Sequence, residues 1–217
     1  MVRKPHRPEE PRWPALVALF AVGGLYFALP SALTIGPDWL LLALVTGLAI
    51  PATIMKRWGY VMVGQSLGYA VNGLVTLAML VSLGLLVSRL PAHKETPLQL
   101  LIAASALWTC NVLVFACWYW RMDAGGPHQR DLFNCHTDGA FLFPQMLLSP
   151  ETREQMGESE WRPGFVDYLF LAFNTSTAFS PTDVPVLSRW AKALMMIQSS
   201  ISLATIAILA ARAINIL

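Results

Sequence analysis

Long, unbroken apolar blocks govern what this chain folds into, because their natural solvent is a lipid bilayer. Five of them run Pro14–Leu29, Trp39–Met55, Val61–Val87, Pro97–Trp120 and Ala193–Ala211. A hydrocarbon core about 30 Å thick takes roughly 20 apolar residues of helix. The last three blocks reach or approach that length, and the first two fall somewhat short. Charged residues make up only 13% of the chain, about half the share of a soluble domain. The expected fold class is therefore an all-α integral membrane protein with about five transmembrane helices.

The connectors carry the breakers and the charge. Trp13, Trp39, Trp58, Trp118, Tyr119, Trp120, Trp161 and Trp190 gather near block ends, as expected of amphipathic rings at the headgroup level. With five crossings, Arg3, Lys4, Arg7, Arg12, Lys56, Arg57, Arg121, Arg130, Arg153, Arg162, Arg189 and Lys192 fall on one side. Only Arg89, Lys94 and Arg212 fall on the other. The positive-inside rule makes the first side cytoplasmic. The expectation is a multi-pass protein of the cell inner (plasma) membrane with a cytoplasmic N-terminus. The leader Val2–Arg12 is long, proline-rich and partly acidic, unlike the start of a cleaved signal peptide, so the first block reads as a retained helix.

Several function classes drop out. A net charge of +2 with no basic, aromatic-interleaved patch gives no support to nucleic-acid binding. His-Glu-x-x-His, Gly-x-Ser-x-Gly and a phosphate-cradling glycine loop are all absent from the sequence, so no enzyme chemistry, catalytic residue or cofactor is expected. Three cysteines suggest no disulfide framework. His128, Asp131, Cys135, His136 and Asp138 match no strong zinc spacing and read as a solvated loop, so no metal is expected.

The connector from Arg121 to Arg189 is the one large polar stretch. It contains Gly125-Gly126-Pro127, a short apolar Phe141–Leu148 segment, and a charged segment opened by Ser149-Pro150 that reads as an exposed helix. A short apolar helix, Phe165–Ala172, follows, and then a hydroxyl-rich turn from Asn174 to Asp183 before the last block. A half-helix that stops inside a membrane leaves backbone groups unpaired, which is tolerated only where protein or a watery cavity satisfies them. The pattern therefore reads as a re-entrant half-helix and loop. Asp167 on the short helix is placed to pair with Arg162 or Lys192.

In this region Thr175, Ser176, Thr177, Ala178, Phe179, Ser180, Pro181, Thr182 and Asp183 resemble, in length and place, the filter segment of pore-loop potassium channels, with Thr175, Thr177 and Asp183 matching. The resemblance implies a pore lined by this segment, an Asp183 ring at its mouth, and a homotetramer, since each chain supplies one pore unit. Gly125-Gly126, Phe143-Pro144, Asp167-Tyr168 and Asp183 are also similar to a bacterial membrane-protein family, domain-of-unknown-function family 1345, which implies no reaction. Potassium filters need glycines, whose positive φ turns successive carbonyls to the axis. Positions 179–182 hold none, and Pro181 fixes its own φ, so the expected selectivity is not potassium-like.

Beyond the loop, Gln198, Ser202 and Thr205 share one face of the last block and are candidates to line a cavity. Gln65, Tyr69, Asn72 and Thr76 do likewise on the third. Interhelical hydrogen bonding is the commoner use of such stripes. The domain reading is a cytoplasmic tail (1–12), a peripheral three-helix membrane bundle (13–90) and a pore-domain-like unit (91–217). The functional expectation is a channel-like protein passing a small ion, with the lipid bilayer and copies of itself as partners. A non-conducting scaffold that keeps the re-entrant fold, or a small solute transporter, are the alternatives.

Overall fold

The computed structural model describes residues 9–89, 96–133, 136, 139–177 and 184–214. The helices are α1 (Trp13–Leu25), α2 (Leu40–Arg57), α3 (Val61–Arg89), α4 (Pro97–Met122), α5 (Pro127–Phe133), α6 (Pro144–Leu147), α7 (Pro150–Gln155), α8 (Phe165–Thr177) and α9 (Arg189–Ile214). Three of the described helices are long and apolar enough to cross a membrane: α3, α4 running on into Gly125, and α9 up to Ala211. Those starting at Trp13 and Leu40 are apolar but shorter. The chain is thus an all-α protein with the character of a membrane protein, and three of the five expected spans meet the full length.

Local chemistry explains the boundaries. Pro97 stands at the start of α4 behind Thr96, whose hydroxyl accepts from the Gln99 N–H while the Gln99 side chain accepts from the Thr96 N–H. This reciprocal arrangement satisfies two otherwise orphaned donors. Ser149 caps α7 in the expected way, accepting from the Thr152 N–H at 3.2 Å. Gly59, at φ +88°, reverses the chain between α2 and α3 in a backbone region that a side chain would strain.

Helices α1, α3 and α9 start at one end of the bundle, and α2 and α4 finish there. At this end the Tyr69 hydroxyl donates to the Arg121 carbonyl across α3 and α4 (3.3 Å), and Arg12 meets Asp131 (2.9 Å). At the other end Ser82 of α3 donates to the Tyr26 hydroxyl just past α1 (3.2 Å). The first end carries Arg12, Lys56, Arg121, Arg130 and Arg189 and is called the basic end below.

The third helix uses its polar stripe for bonding between helices. Tyr69 reaches Arg121, and Thr76 accepts from the Trp118 indole at 2.9 Å. Asn72 is fully buried, and neither of its side-chain polar atoms has a partner among the described residues.

Helix α8 runs beside α4 in the opposite direction. It begins at the basic end, where Phe165 meets Trp120 edge-on at 5.9 Å. It finishes where Phe173 meets Trp108 at 5.8 Å and Ser176 meets Asn111. From Trp120 to Trp108 an α-helix rises about 18 Å, so α8 stops part-way along α4. By Pro185 the chain is back at the basic end. The Leu142 N–H donates to the Pro185 carbonyl (3.0 Å), the Leu187 N–H donates to the Ala140 carbonyl (2.8 Å), and Phe141 packs on Trp190.

One expectation about α8 changes. The helix does not end at Ala172 but continues to Thr177, so Thr175, Ser176 and Thr177 form its last turn rather than the start of an extended loop. The Thr175 hydroxyl bonds back to the Leu171 carbonyl (2.8 Å) and that of Thr177 to the Phe173 carbonyl (3.0 Å). These local bonds let hydroxyl residues sit inside a helix turn without competing against it.

Candidate functional site

The inner end of α8 is where the chain concentrates buried polar groups. A helix leaves its last carbonyls without intrahelical partners, and α9 supplies partners here. Ser202 donates to the Ser176 carbonyl at 2.6 Å and Ser199 to the Thr175 carbonyl at 3.2 Å. The Gln198 amide donates to the Ala172 carbonyl (2.7 Å) and to the Ser176 hydroxyl (2.8 Å). Its oxygen accepts from the Tyr119 hydroxyl. From α4, Asn111 donates to the Gln198 carbonyl (3.2 Å), and the Trp108 indole donates to the Ser202 hydroxyl (3.0 Å).

Two of the three sequence candidates on α9, Gln198 and Ser202, therefore share one environment. Gln198 and Thr205 are fully buried and Ser202 nearly so. Thr205 bonds within its own helix, to the Ile201 and Ser202 carbonyls. Of the filter-position residues, Thr175 and Ser176 are buried and Thr177 is exposed. Ala178, Phe179, Ser180, Pro181, Thr182 and Asp183 lie outside the described residues. The face of α8 turned away from the bundle presents Val166 and Phe170, with Phe173 half-exposed beside Trp108 and Thr177 at its inner end.

The outer end of α8 is held by a second polar cluster that sequence reading misses. Arg130 of α5 is buried and grips Glu10 through Nε and a terminal nitrogen (3.0 and 3.1 Å). Its other terminal nitrogen donates to the Trp120 and Asp123 carbonyls (3.0 and 2.7 Å). The Trp120 indole also donates to Glu10. Burial alone would lower the Arg130 pKa, but Tyr168, Glu10 and Asp123 outweigh it and hold the pKa above its ordinary value.

Asp123, fully buried, accepts from the Tyr168 hydroxyl of α8 (2.7 Å) and the Ala140 N–H (2.5 Å). His136 Nε2 lies 2.9 Å from the same carboxylate. The break after α4 places these groups. Gly126 sits at φ +87°, and a Cβ there would lie 2.6 Å from the Arg121 carbonyl oxygen.

The structure gathers residues that the sequence showed only as separate motifs. Gly126 and Tyr168 both bond to Asp123, and Phe143 lies edge-on to Tyr168 at 5.3 Å and to Trp161 at 5.9 Å. The expected solvated loop is corrected in part. Asp131, with its side chain 12% exposed, binds both Arg12 and Arg162, and His136 is drawn in against Asp123. Cys135 and Asp138 lie outside the described residues, and no metal-holding group of His, Cys, Asp or Glu occurs among those described.

Asp167 accepts from the Gly164 N–H (2.7 Å), while Arg162 pairs with Asp131 instead. Burial raises the Asp167 pKa against the pull of its backbone hydrogen bonds. The signal that could have flagged the missed cluster was chemical: an acidic Glu10 in a basic leader, and Asp123 and Arg130 just past an apolar block.

Comparison with known proteins adds no relative: no family model, no curated protein and no solved structure matches this chain.

Proposed function

We propose that this protein is a channel-like membrane protein whose α4, α8 and α9 form a pore-loop unit. In this reading five helices cross the bilayer, the N-terminus is cytoplasmic, and α8 is a re-entrant half-helix. Four copies surround an axis bordered by Thr177 and the 178–183 segment, and a small ion passes with non-potassium selectivity. The observation that carries the reading is that α8 starts at the basic end and stops part-way along α4, and that Pro185 is again at the basic end. The terminal carbonyls of α8 are satisfied by Ser199 and Ser202, which is what a half-helix in lipid requires. The C-terminal end of a helix dipole carries partial negative charge, so an α8 ending inside the bilayer favours a cation there.

The wide exposed face of α9, with Met196, Ile197 and Leu203, supports packing against lipid or other copies. One observation favours a second reading, a non-conducting scaffold of the same architecture: Thr175 and Ser176 are buried and bonded within the chain.

Ion flux into vesicles reconstituted with the protein separates the two. Conduction predicts a flux reduced by Asp183→Asn and altered by Thr177→Val, with four chains crosslinked in detergent. A strict monomer, or no flux under any ion gradient, overturns the channel reading.

A further inference from the structure

At the basic end, a cavity of about 110 Å³ opens between α1, α2, α3 and α4, and Arg12, Lys56, Gln65, Tyr69, Arg121 and His128 are among the groups that line it. No carboxylate is among its lining residues. We propose that this cavity binds a phosphate group, presented by the headgroup of an anionic phospholipid.

The charges there are only partly compensated among the described residues. Arg12 pairs with Asp131, but Asp131 is shared with Arg162. Lys56 and Arg121 take part in no ion pair among the described residues. Arg121 is the telling group. Its guanidinium lies 5.6 Å from the Tyr69 ring centre and 5.8 Å from that of Trp120. Its Nε is buried without an acceptor among the described residues, as is that of Arg12. Gly68 makes the space, since a Cβ there would collide with the Arg121 terminal nitrogens.

Two rings and a glycine thus frame a planar guanidinium whose Nε has no acceptor among the described residues. Burying a cation without an anion is costly, and a fixed guanidinium fork matches the geometry of phosphate oxygens.

The position selects the source. The cavity lies where α2 ends and α3 begins, beside the exposed rings of Trp58 and Tyr60, the level of lipid headgroups. Its remaining wall is apolar, with Leu19 and Val71 leading into the bundle, which suits an acyl chain behind the phosphate. Basic pockets between helices at such a surface are suited to anionic headgroups. The proposal rests on this cavity alone and does not require conduction.

The test uses the full chain in maltoside detergent, following the melting temperature against three titrants: short-chain phosphatidylglycerol, diacylglycerol of the same chain length, and inorganic phosphate. The expected result is a saturable rise with phosphatidylglycerol and none with diacylglycerol. Arg121→Gln should weaken the apparent affinity about tenfold, the worth of one charge-assisted contact. Should that variant not fold, Lys56→Gln is expected to weaken the same response. A saturable, arginine-dependent response to inorganic phosphate, with no gain from the lipid, keeps the phosphate site but overturns its lipid source. A response equal for diacylglycerol and phosphatidylglycerol, or one unchanged in both variants, overturns the site.

Discussion

Replacing Arg130 by methionine should be among the most damaging single changes in this protein. The Arg130 and Glu10 side chains are 4% and 2% exposed, so the substitution strands a buried carboxylate whose remaining side-chain partner is the Trp120 indole. Removing one member of a buried pair costs about 3–5 kcal/mol. The loss of contacts to the Trp120 and Asp123 carbonyls acts in the same direction. Equilibrium unfolding in maltoside micelles with rising SDS fraction, read by tryptophan fluorescence, measures the change. Adding Glu10→Gln removes the stranded charge and should restore roughly 1–3 kcal/mol of it, because a neutral amide costs less to bury unpaired. If Arg130→Met alone costs under about 1 kcal/mol, or if Glu10→Gln worsens it, the claim that this pair clamps the leader to the α4–α5 turn is refuted.

Other substitutions probe separate parts of the structure by the same assay. Gln198→Leu should cost about 1–3 kcal/mol, since it leaves the Tyr119 hydroxyl and Ser176 without their shared partner. Gly126→Ala should cost upwards of about 1 kcal/mol because φ is +87° and the Arg121 carbonyl is in the way. Asn72→Leu should be neutral or stabilising by about 1 kcal/mol, because it removes a buried amide with no partner among the described residues. A loss of more than about 2 kcal/mol there would show that the amide is engaged.

The parts of the fold that follow from local rules were legible in the sequence. Block length and hydropathy give α3, α4 and α9, and Ser149-Pro150 marks the start of α7. The end of α8 was not legible, because hydroxyl residues favour turns as readily as they cap a helix. What decides it is Gln198, Ser199 and Ser202 on another element, more than twenty positions away. The clamp at the outer end was hidden for the same reason. Glu10 and Arg130 stand 120 positions apart, so no window joins them. The stripe on α9 was visible as a pattern, but its partners, the carbonyls of α8, carry no sequence signature because every residue has one.

The central claim is that α8 and the segment after it enter and leave the membrane by one face. Its most direct test labels single cysteines with a membrane-impermeant maleimide, in vesicles of known orientation and with Cys110, Cys117 and Cys135 replaced. The positions are Ser159 before α8, Leu187 after it, Tyr60 at the basic end and Ile35 at the other, of which Leu187, Tyr60 and Ile35 are 57%, 60% and 71% exposed. Ser159→Cys, Leu187→Cys and Tyr60→Cys should all label from the same side, and Ile35→Cys from the opposite one. Labelling of Ser159→Cys and Leu187→Cys from opposite sides would mean that the segment crosses the bilayer, and would contradict the account.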